Sequence, residues 1–244
     1  MNYKLTLCYD GTRYKGWQRQ GNTDSTIQGR VENILGRITG ENIEISGCGR
    51  TDAGVHALCQ VCSFHSDTEY SCAELLKLLR EYLPEDIGAV SLEQAPPRFH
   101  ARLSCKSKTY MYRIVTGDAP CVFERKYVYR FEEKPDIDLM RMASDFLLGT
   151  HDFAAFCSLK NSKKSTVRTL ERIEINENGS FIEISLTGDG FLYNMVRIIV
   201  GTLLEVGTGK KLPEDTVKIL ESKKRELAGA TAPAQGLFLY KISY

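Results

Sequence analysis

The order of its helix-like and strand-like segments constrains the fold of this 244-residue chain more than any other feature. Residues 2–10 alternate as a strand does, and residues 27–38 carry apolar side chains at helical spacing. Two strand-like runs, a leucine-rich helical segment that stops before Pro84, and a strand at residues 87–92 follow. This β-α-β-β-α-β order is that of a ferredoxin-like or RRM-like unit.

The second part of the chain repeats this order. We predict strands at 107–116 and 237–243, helices at 136–148 and 191–206, and a hairpin within 167–186 whose turn carries Asn178-Gly179. The predicted fold is therefore α+β, with two RRM-like halves at residues 1–103 and 104–244, antiparallel sheets side by side and a cleft between them. The side chains of the 136–148 helix that we expect to face inward are Leu139, Met140, Ala143, Phe146 and Leu147.

Capping residues mark the ends of the helices in the first half. Ser25 and Gln28 have the spacing of a capping box, and so do Ser71 and Glu74. Gly40 follows the first helix, at a position where glycine commonly ends helices.

Composition is typical of a soluble globular protein, with 42% hydrophobic and 26% charged residues. The N-terminus lacks a cationic segment followed by an apolar one, so it does not resemble a signal peptide. The longest apolar run, residues 195–204, contains Arg197 and is too short to span a bilayer. We therefore expect a cytoplasmic location.

Charge and cysteine content limit the classes of function. A net charge of +1 means that nucleic-acid binding would require a local positive surface. Among the eight cysteines, Cys59 and Cys62 have CxxC spacing, but residues three apart on a strand face opposite sides. We expect most cysteines to be small core residues and predict no metal site.

A glycine-rich loop, residues 47–57, lies between two strand-like runs and contains Arg50, Thr51, Asp52 and His56. Loops held between rigid strands often carry catalytic groups. The alternative is a solvated turn in which Asp52 caps backbone N–H groups. Residues 47–52 begin like a dinucleotide fingerprint, but the surrounding order is not that of parallel βαβ units.

A carboxylate, a tyrosine and an arginine are the strongest remaining candidates for chemistry. Tyr110 alternates with Tyr112 onto one strand face, where both could equally be packing residues. Arg197 lies in a helix that is apolar nearly all round, and a buried arginine needs an anionic partner. Asp189 and Asp52 are the two candidates for that partner.

Two segments carry the basic side chains that nucleic-acid binding would use. Residues 11–21 interleave cations with aromatics, which suits phosphate contact and base stacking, although an exposed loop has the same composition. The second segment contains Lys160, Lys163, Lys164 and Arg168, which could follow a phosphate backbone or form a solvated loop.

Several motifs, in order along the chain, resemble those of the tRNA pseudouridine synthase A family. The most specific is GRTDAGVHA at residues 49–57, with Asp52 at the position of the family's nucleophile. The others are YDG at 9–11 with Tyr14, GWQRQ at 16–20, FHAR at 99–102, KTYMYR at 108–113, and the segment 191–201.

This resemblance implies an isomerase that converts uridine to pseudouridine in tRNA, at positions 38–40 of the anticodon stem and loop, without a cofactor. It implies catalytic roles for Asp52, Tyr110 and Arg197, with Arg197 holding Asp52 ionised. It also implies substrate contacts from Arg50, Thr51, Tyr110 and His56, with Arg50 at the flipped nucleotide. A homodimer whose two subunits share one tRNA is expected.

Two other functions remain open from the residues alone. A non-catalytic RNA-binding module built on two RRM-like sheets would explain the aromatic and basic residues, but it gives no reason for a buried Asp–Arg pair. A small-molecule hydrolase using Asp52 as its base would leave the basic segments unexplained.

Overall fold

The computed structural model describes residues 1–23, 25–118, 120–158 and 165–244. The chain divides into two compact units, Met1–Lys106 with Phe238–Tyr244, and Ser107–Leu237. The predicted division at residues 103 and 104 lies close to this boundary. The predicted assignment of residues 238–244 to the second half differs from this division, which groups them with the N-terminal unit.

In the N-terminal unit, helices and strands follow one another in the predicted order. β1 lies between β3 and β4 and is antiparallel to both, and β2 pairs antiparallel with β3. β2 is only two residues long. The elements are β1 (Asn2–Tyr9), α1 (Ile27–Thr39), β2 (Ser46–Gly47), β3 (His56–His65), α2 (Cys72–Tyr82) and β4 (Ile87–Gln94).

The two capping predictions have different outcomes. The Ser71–Glu74 capping box at the start of α2 is confirmed, with both of its hydrogen bonds present. The box predicted from Ser25 is wrong, because Thr26 is the N-cap of α1 and its hydroxyl accepts from the Gly29 N–H. Gln28 does not complete a box, because its side-chain oxygen accepts instead from the Gln18 amide and from the Arg19 N–H.

In the C-terminal unit, the strands include the predicted hairpin, β8–β9. β9 lies between β5 and β8 and is antiparallel to both, while β7 pairs with the far side of β8. The short β6 runs parallel to β5. The elements are β5 (Ser107–Thr116), β6 (Tyr129–Phe131), α3 (Ile137–Asp145), β7 (Gly149–Asp152), β8 (Val167–Asn178), β9 (Phe181–Gly188), α4 (Met195–Gly207) and α5 (Asp215–Ser222).

The last strand, β10 (Leu237–Ser243), has the predicted bounds and is parallel to β3, through Phe238 opposite His56 and Leu239 opposite Ala57. The protein is thus mixed α+β. The prediction of purely antiparallel sheets is wrong, because β10 pairs parallel with β3 and β6 pairs parallel with β5.

Two helices of the C-terminal unit differ from prediction at their ends. α3 ends at Asp145, so Phe146 lies beyond it and is 39% exposed rather than buried. α4 begins at Met195 instead of residue 191, because Asn194 adopts left-handed backbone angles with φ of 62°.

α4 is buried on nearly every side, as its apolar sequence predicted. Residues 228–232 run against its Gly201 face, where a Cβ would overlap the Ala230 carbonyl. The Thr202 hydroxyl accepts from the Gly229 N–H at 2.9 Å. At the other end of this segment, the Ala232 N–H donates to the Arg197 carbonyl at 3.1 Å. In the described parts of the chain, no helix is long and apolar enough to cross a membrane.

Candidate active site

Asp52 lies in the loop between β2 and β3, where its residue is half-buried. Its backbone carbonyl accepts from the Val55 N–H at 3.1 Å, which closes a tight turn. The preceding Arg50 is exposed, whereas Thr51 is buried. Along the turn, the Arg50 side chain therefore faces solvent, the Thr51 hydroxyl faces inward, and the Asp52 carboxylate lies at the boundary with solvent.

The segment that follows β1 packs directly on this loop through its backbone. The Trp17 N–H donates to the Thr51 carbonyl at 3.0 Å. Gly16 has φ of 100°, and a Cβ there would come within 2.7 Å of the same Thr51 carbonyl. Only glycine combines this backbone conformation with so close an approach. Residues 11–17 thus fix the backbone immediately before Asp52.

Two aromatic rings support the same loop from inside the unit. Trp17 is 1% exposed and stacks with Tyr9, their ring centroids 6.2 Å apart. The Tyr9 hydroxyl bonds to the Thr51 hydroxyl at 2.8 Å. Burial raises the pKa of Tyr9 well above its usual value, so the phenol stays protonated at neutral pH.

The structure corrects one interpretation of residues 11–21. Their aromatic side chains, Tyr14 at 7% and Trp17 at 1% exposure, belong to the core and offer no stacking face to a base. The cations of the same segment, Arg13, Lys15 and Arg19, are exposed.

His56 is 1% exposed and lies inside the N-terminal unit, stacked on Phe238 with ring centroids 4.9 Å apart. Its Nδ1 accepts from the Gly11 N–H at 3.1 Å and lies 3.2 Å from an Asp10 carboxylate oxygen. His56 therefore fixes the turn after β1. The prediction that it contacts substrate stays a prediction.

Tyr110 and Tyr112 share a face of β5, as the alternation predicted. Tyr110 is 7% exposed and meets the Phe191 ring edge-on, with centroids 5.0 Å apart. Tyr112 is fully buried, and its hydroxyl donates to the Pro233 carbonyl at 2.6 Å. Tyr112 is thus a packing residue of the C-terminal unit.

Arg197 is half-buried on α4 and is oriented by two neutral oxygens. Its Nε donates to the Ala232 carbonyl at 2.6 Å, and its Nη1 donates to the Asn194 side-chain oxygen at 2.9 Å. Within the described residues no salt bridge joins Arg197 to Asp189, whose carboxylate instead accepts from the Thr169 N–H at 3.0 Å. Of the two predicted anionic partners, the local one is therefore not used.

The predicted site residues thus belong to both units. Arg50, Thr51, Asp52 and His56 lie in or beside one loop of the N-terminal unit, and Tyr110 and Arg197 lie in the C-terminal unit. In the second predicted basic segment, Lys160, Lys163 and Lys164 lie outside the described residues. Arg168 donates to the Ser165 carbonyl at 3.0 Å.

Sequence reasoning did not single out two side chains that hold the loop. Tyr9 bonds to Thr51, and the buried Gln60 amide donates to the Gly49 carbonyl at 2.8 Å. Gln60 could have been noticed, because it is an amide in a mainly apolar run of β3. A buried amide needs a hydrogen-bond partner.

A family model described as tRNA pseudouridine synthase matches residues 7–104 and 143–244 of this chain. The chain belongs to that family. The matched residues include the Asp52 loop and Arg197, but Tyr110 lies in the interval between the two matched segments.

Curated relatives share this assignment over nearly their whole length. A tRNA pseudouridine synthase A of Bacillus sp. (strain KSM-64) is 50% identical over 243 residues, covering 100% of this chain and 99% of the relative. A tRNA pseudouridine synthase A 1 of Clostridium tetani is 49% identical, and a tRNA pseudouridine synthase A 2 of Bacillus anthracis is 46% identical, with the same coverage.

One solved structure, described as a Cbf5-Nop10-Gar1 complex, is 13% identical with a TM-score of 0.37 and covers 83% of this chain and 45% of that chain. This likeness is too distant to bear on the fold.

Removing the Tyr9 hydroxyl tests the internal support of the loop. We expect Tyr9→Phe to lower the free energy of unfolding by about 1–3 kcal/mol, because the buried Thr51 hydroxyl loses its partner. Urea denaturation measures this. The control is Tyr70→Phe, at a residue that is 43% exposed, which should change stability by less than about 0.5 kcal/mol. Equal stability of the two variants would show that the Tyr9–Thr51 bond does not hold the loop.

Proposed function

We propose that this protein isomerises uridine to pseudouridine in tRNA, with Asp52 as its catalytic carboxylate. The observation that carries the proposal is the fixed turn around Asp52. In it, the Thr51 carbonyl and hydroxyl are held by Trp17 and Tyr9, and Asp52 follows at the boundary with solvent. A group held in this way needs little reorganisation when it reacts.

The isomerisation requires an ionised carboxylate and a binding site that holds the target uridine while its base is detached and rejoined. The N-glycosidic bond breaks, the base turns, and a carbon of the base is joined to the ribose, so that product and substrate have the same atoms. The rearrangement consumes no oxidant and no group donor. Asp52 would act ionised, either as a nucleophile or as the base that removes a ribose proton, and the two mechanisms remain alternatives.

Of the residues near Asp52, one is placed to contact the nucleotide and two hold the backbone of the loop. Arg50 is exposed two residues before Asp52, and we propose that its guanidinium contacts the displaced nucleotide, since a stacked uridine must leave the stem to react. Thr51 and His56 are buried, so we propose that they act mainly by positioning the loop backbone.

Tyr110 and Arg197 are the proposed contributions of the C-terminal unit. Tyr110 would pack against the target base and assist proton transfer through its hydroxyl. Arg197 would hold Asp52 ionised. Two of its five N–H donors bond to neutral oxygens, which orient the guanidinium without neutralising its charge.

The remaining proposals follow the family. We propose the anticodon stem and loop as the target region, a homodimer, a cytoplasmic location, and RRM-like halves at residues 1–103 and 104–244. The strand order β4-β1-β3-β2 in the N-terminal unit supports the RRM-like arrangement. Sedimentation equilibrium measures the oligomeric state, and a monomer that is active without association would contradict the dimer.

Asp52→Asn tests the central claim. The amide is nearly isosteric but cannot act as an anionic nucleophile or base, so pseudouridine formation should fall to background while tRNA binding is kept. Chemical mapping of pseudouridine in an unmodified tRNA transcript measures the activity. The matched control is Asp138→Asn, whose side chain is 86% exposed and which should keep full activity. A wild-type protein that binds the transcript without converting it would instead favour a non-catalytic RNA-binding module.

Tyr110→Phe should keep substrate binding and lose most of kcat, because only the hydroxyl is removed. Single-turnover kinetics separates binding from chemistry. Tyr112→Phe on the same strand face is the comparison, and it should lower thermal stability through its lost bond to Pro233 rather than lower kcat. Wild-type kcat in Tyr110→Phe would leave the hydroxyl without a chemical role.

Arg197→Met should lose activity and stability together, because the charge and the two oriented bonds disappear at once. Its residual activity should fall off at a higher pH than that of wild type as the solution is acidified, since Asp52 would no longer be held ionised. Arg197→Lys should recover only part, because an ammonium cannot bind a carboxylate bidentately. An unchanged pH–rate profile in Arg197→Met would contradict the pairing with Asp52.

A further inference from the structure

We infer that the outer face of α1 is a second RNA-contact surface, which binds backbone phosphates of the tRNA outside the Asp52 loop. The inference rests on the proposed function for the identity of the RNA. It adds a surface that the catalytic chemistry does not use.

The surface is built around a row of side chains on α1, here called the arginine ridge, which consists of Arg30, Asn33 and Arg37. All three are exposed, and their spacing of three and four residues places them on one helix face. Two helical turns, about 10.5 Å, separate the two arginines along the axis. In the part of the chain that the structure describes, neither arginine forms a salt bridge.

Two surface grooves flank the arginine ridge, with volumes of about 530 and 540 Å³. The first groove is also lined by Arg19, and the second is also lined by Arg13 and Tyr82. Both grooves therefore have cationic walls on two sides.

The carboxylates in and beside the grooves are engaged within the protein. Glu41, which lines the first groove, accepts from the Ser66 hydroxyl at 3.0 Å and from the Asp67 N–H at 3.2 Å. Asp86 accepts from Arg13 at 2.6 Å and from the Tyr14 hydroxyl at 2.6 Å. Glu32 is buried, and its Oε1 accepts from the Gln28 amide and the Ile45 N–H.

A second interaction involves the other oxygen of Glu32, which lies 3.1 Å from Arg19. The ion pairs with Asp86 and Glu32 anchor Arg13 and Arg19 at the groove walls, where their side chains remain 78% and 59% exposed. The ridge arginines are left to bind an external anion.

The chemistry of this face favours an RNA backbone over other partners. Guanidinium groups bind phosphate bidentately, and a row of them suits a regularly charged polymer. Tyr82, 55% exposed in the second groove, offers a ring to a ribose or base. The chain as a whole has a net charge of only +1, so tRNA binding requires a concentrated positive surface such as this one.

The double variant Arg30→Ala/Arg37→Ala tests the inference in the full-length protein. Its affinity for an unmodified tRNA transcript should fall roughly tenfold at moderate salt. The slope of log K against log salt concentration should decrease in magnitude by about 1.4–1.8, which corresponds to two lost phosphate contacts. Fluorescence anisotropy over a salt series measures both quantities, and thermal melting verifies that the variant is folded.

The charge-matched control is Lys77→Ala/Lys218→Ala, which removes two exposed cations from helices α2 and α5. It should bind tRNA with the affinity and salt slope of wild type. If the ridge variant behaves as this control does, the inferred surface is wrong even if pseudouridine is formed. If wild type forms no pseudouridine but the ridge variant loses affinity and slope, the proposed reaction fails and the surface stands.

Discussion

The close backbone contact between residues 11–17 and the Asp52 loop is the constraint on which the N-terminal unit depends. It requires glycine at position 16, because only glycine tolerates both the positive φ and the close approach to the Thr51 carbonyl, to which the Trp17 N–H donates. Tyr9 closes the same contact from the core side through the Thr51 hydroxyl. One hydrogen-bonded turn thus links β1, β3 and α1 to the position of a single carboxylate.

The C-terminal unit uses a similar device to place its arginine. α4 presents Gly201 to residues 228–232, and the absence of a side chain lets two backbone segments meet. That approach brings the Ala232 carbonyl to Arg197 Nε at 2.6 Å. In both units, a glycine lets two backbone segments pack closely, and that contact orients a charged side chain. Substitutions at these glycines should therefore affect the candidate site without touching it.

Charge on this protein is organised locally rather than overall. Buried or half-buried carboxylates such as Glu32 and Asp86 fix some arginines in place, while the arginine ridge extends into solvent. Because each of these pairs involves an exposed cation, it contributes little to stability, at most about 1 kcal/mol. These ion pairs instead determine which part of the surface presents cations to a polyanion.

The sequence by itself determined the order of elements in the N-terminal unit, the Ser71–Glu74 cap, the β8–β9 hairpin and the family, because these depend on local periodicity and short motifs. It did not predict the short strands β6 and β7. It did not determine that Trp17 and Tyr14 are buried, or that α4 begins only at Met195. It left the partner of Arg197 open, and the tertiary structure excluded Asp189 within the described residues by giving that carboxylate the Thr169 N–H. Burial and hydrogen-bond partners depend on which segments meet in space, and the pattern of residues along the chain does not specify that.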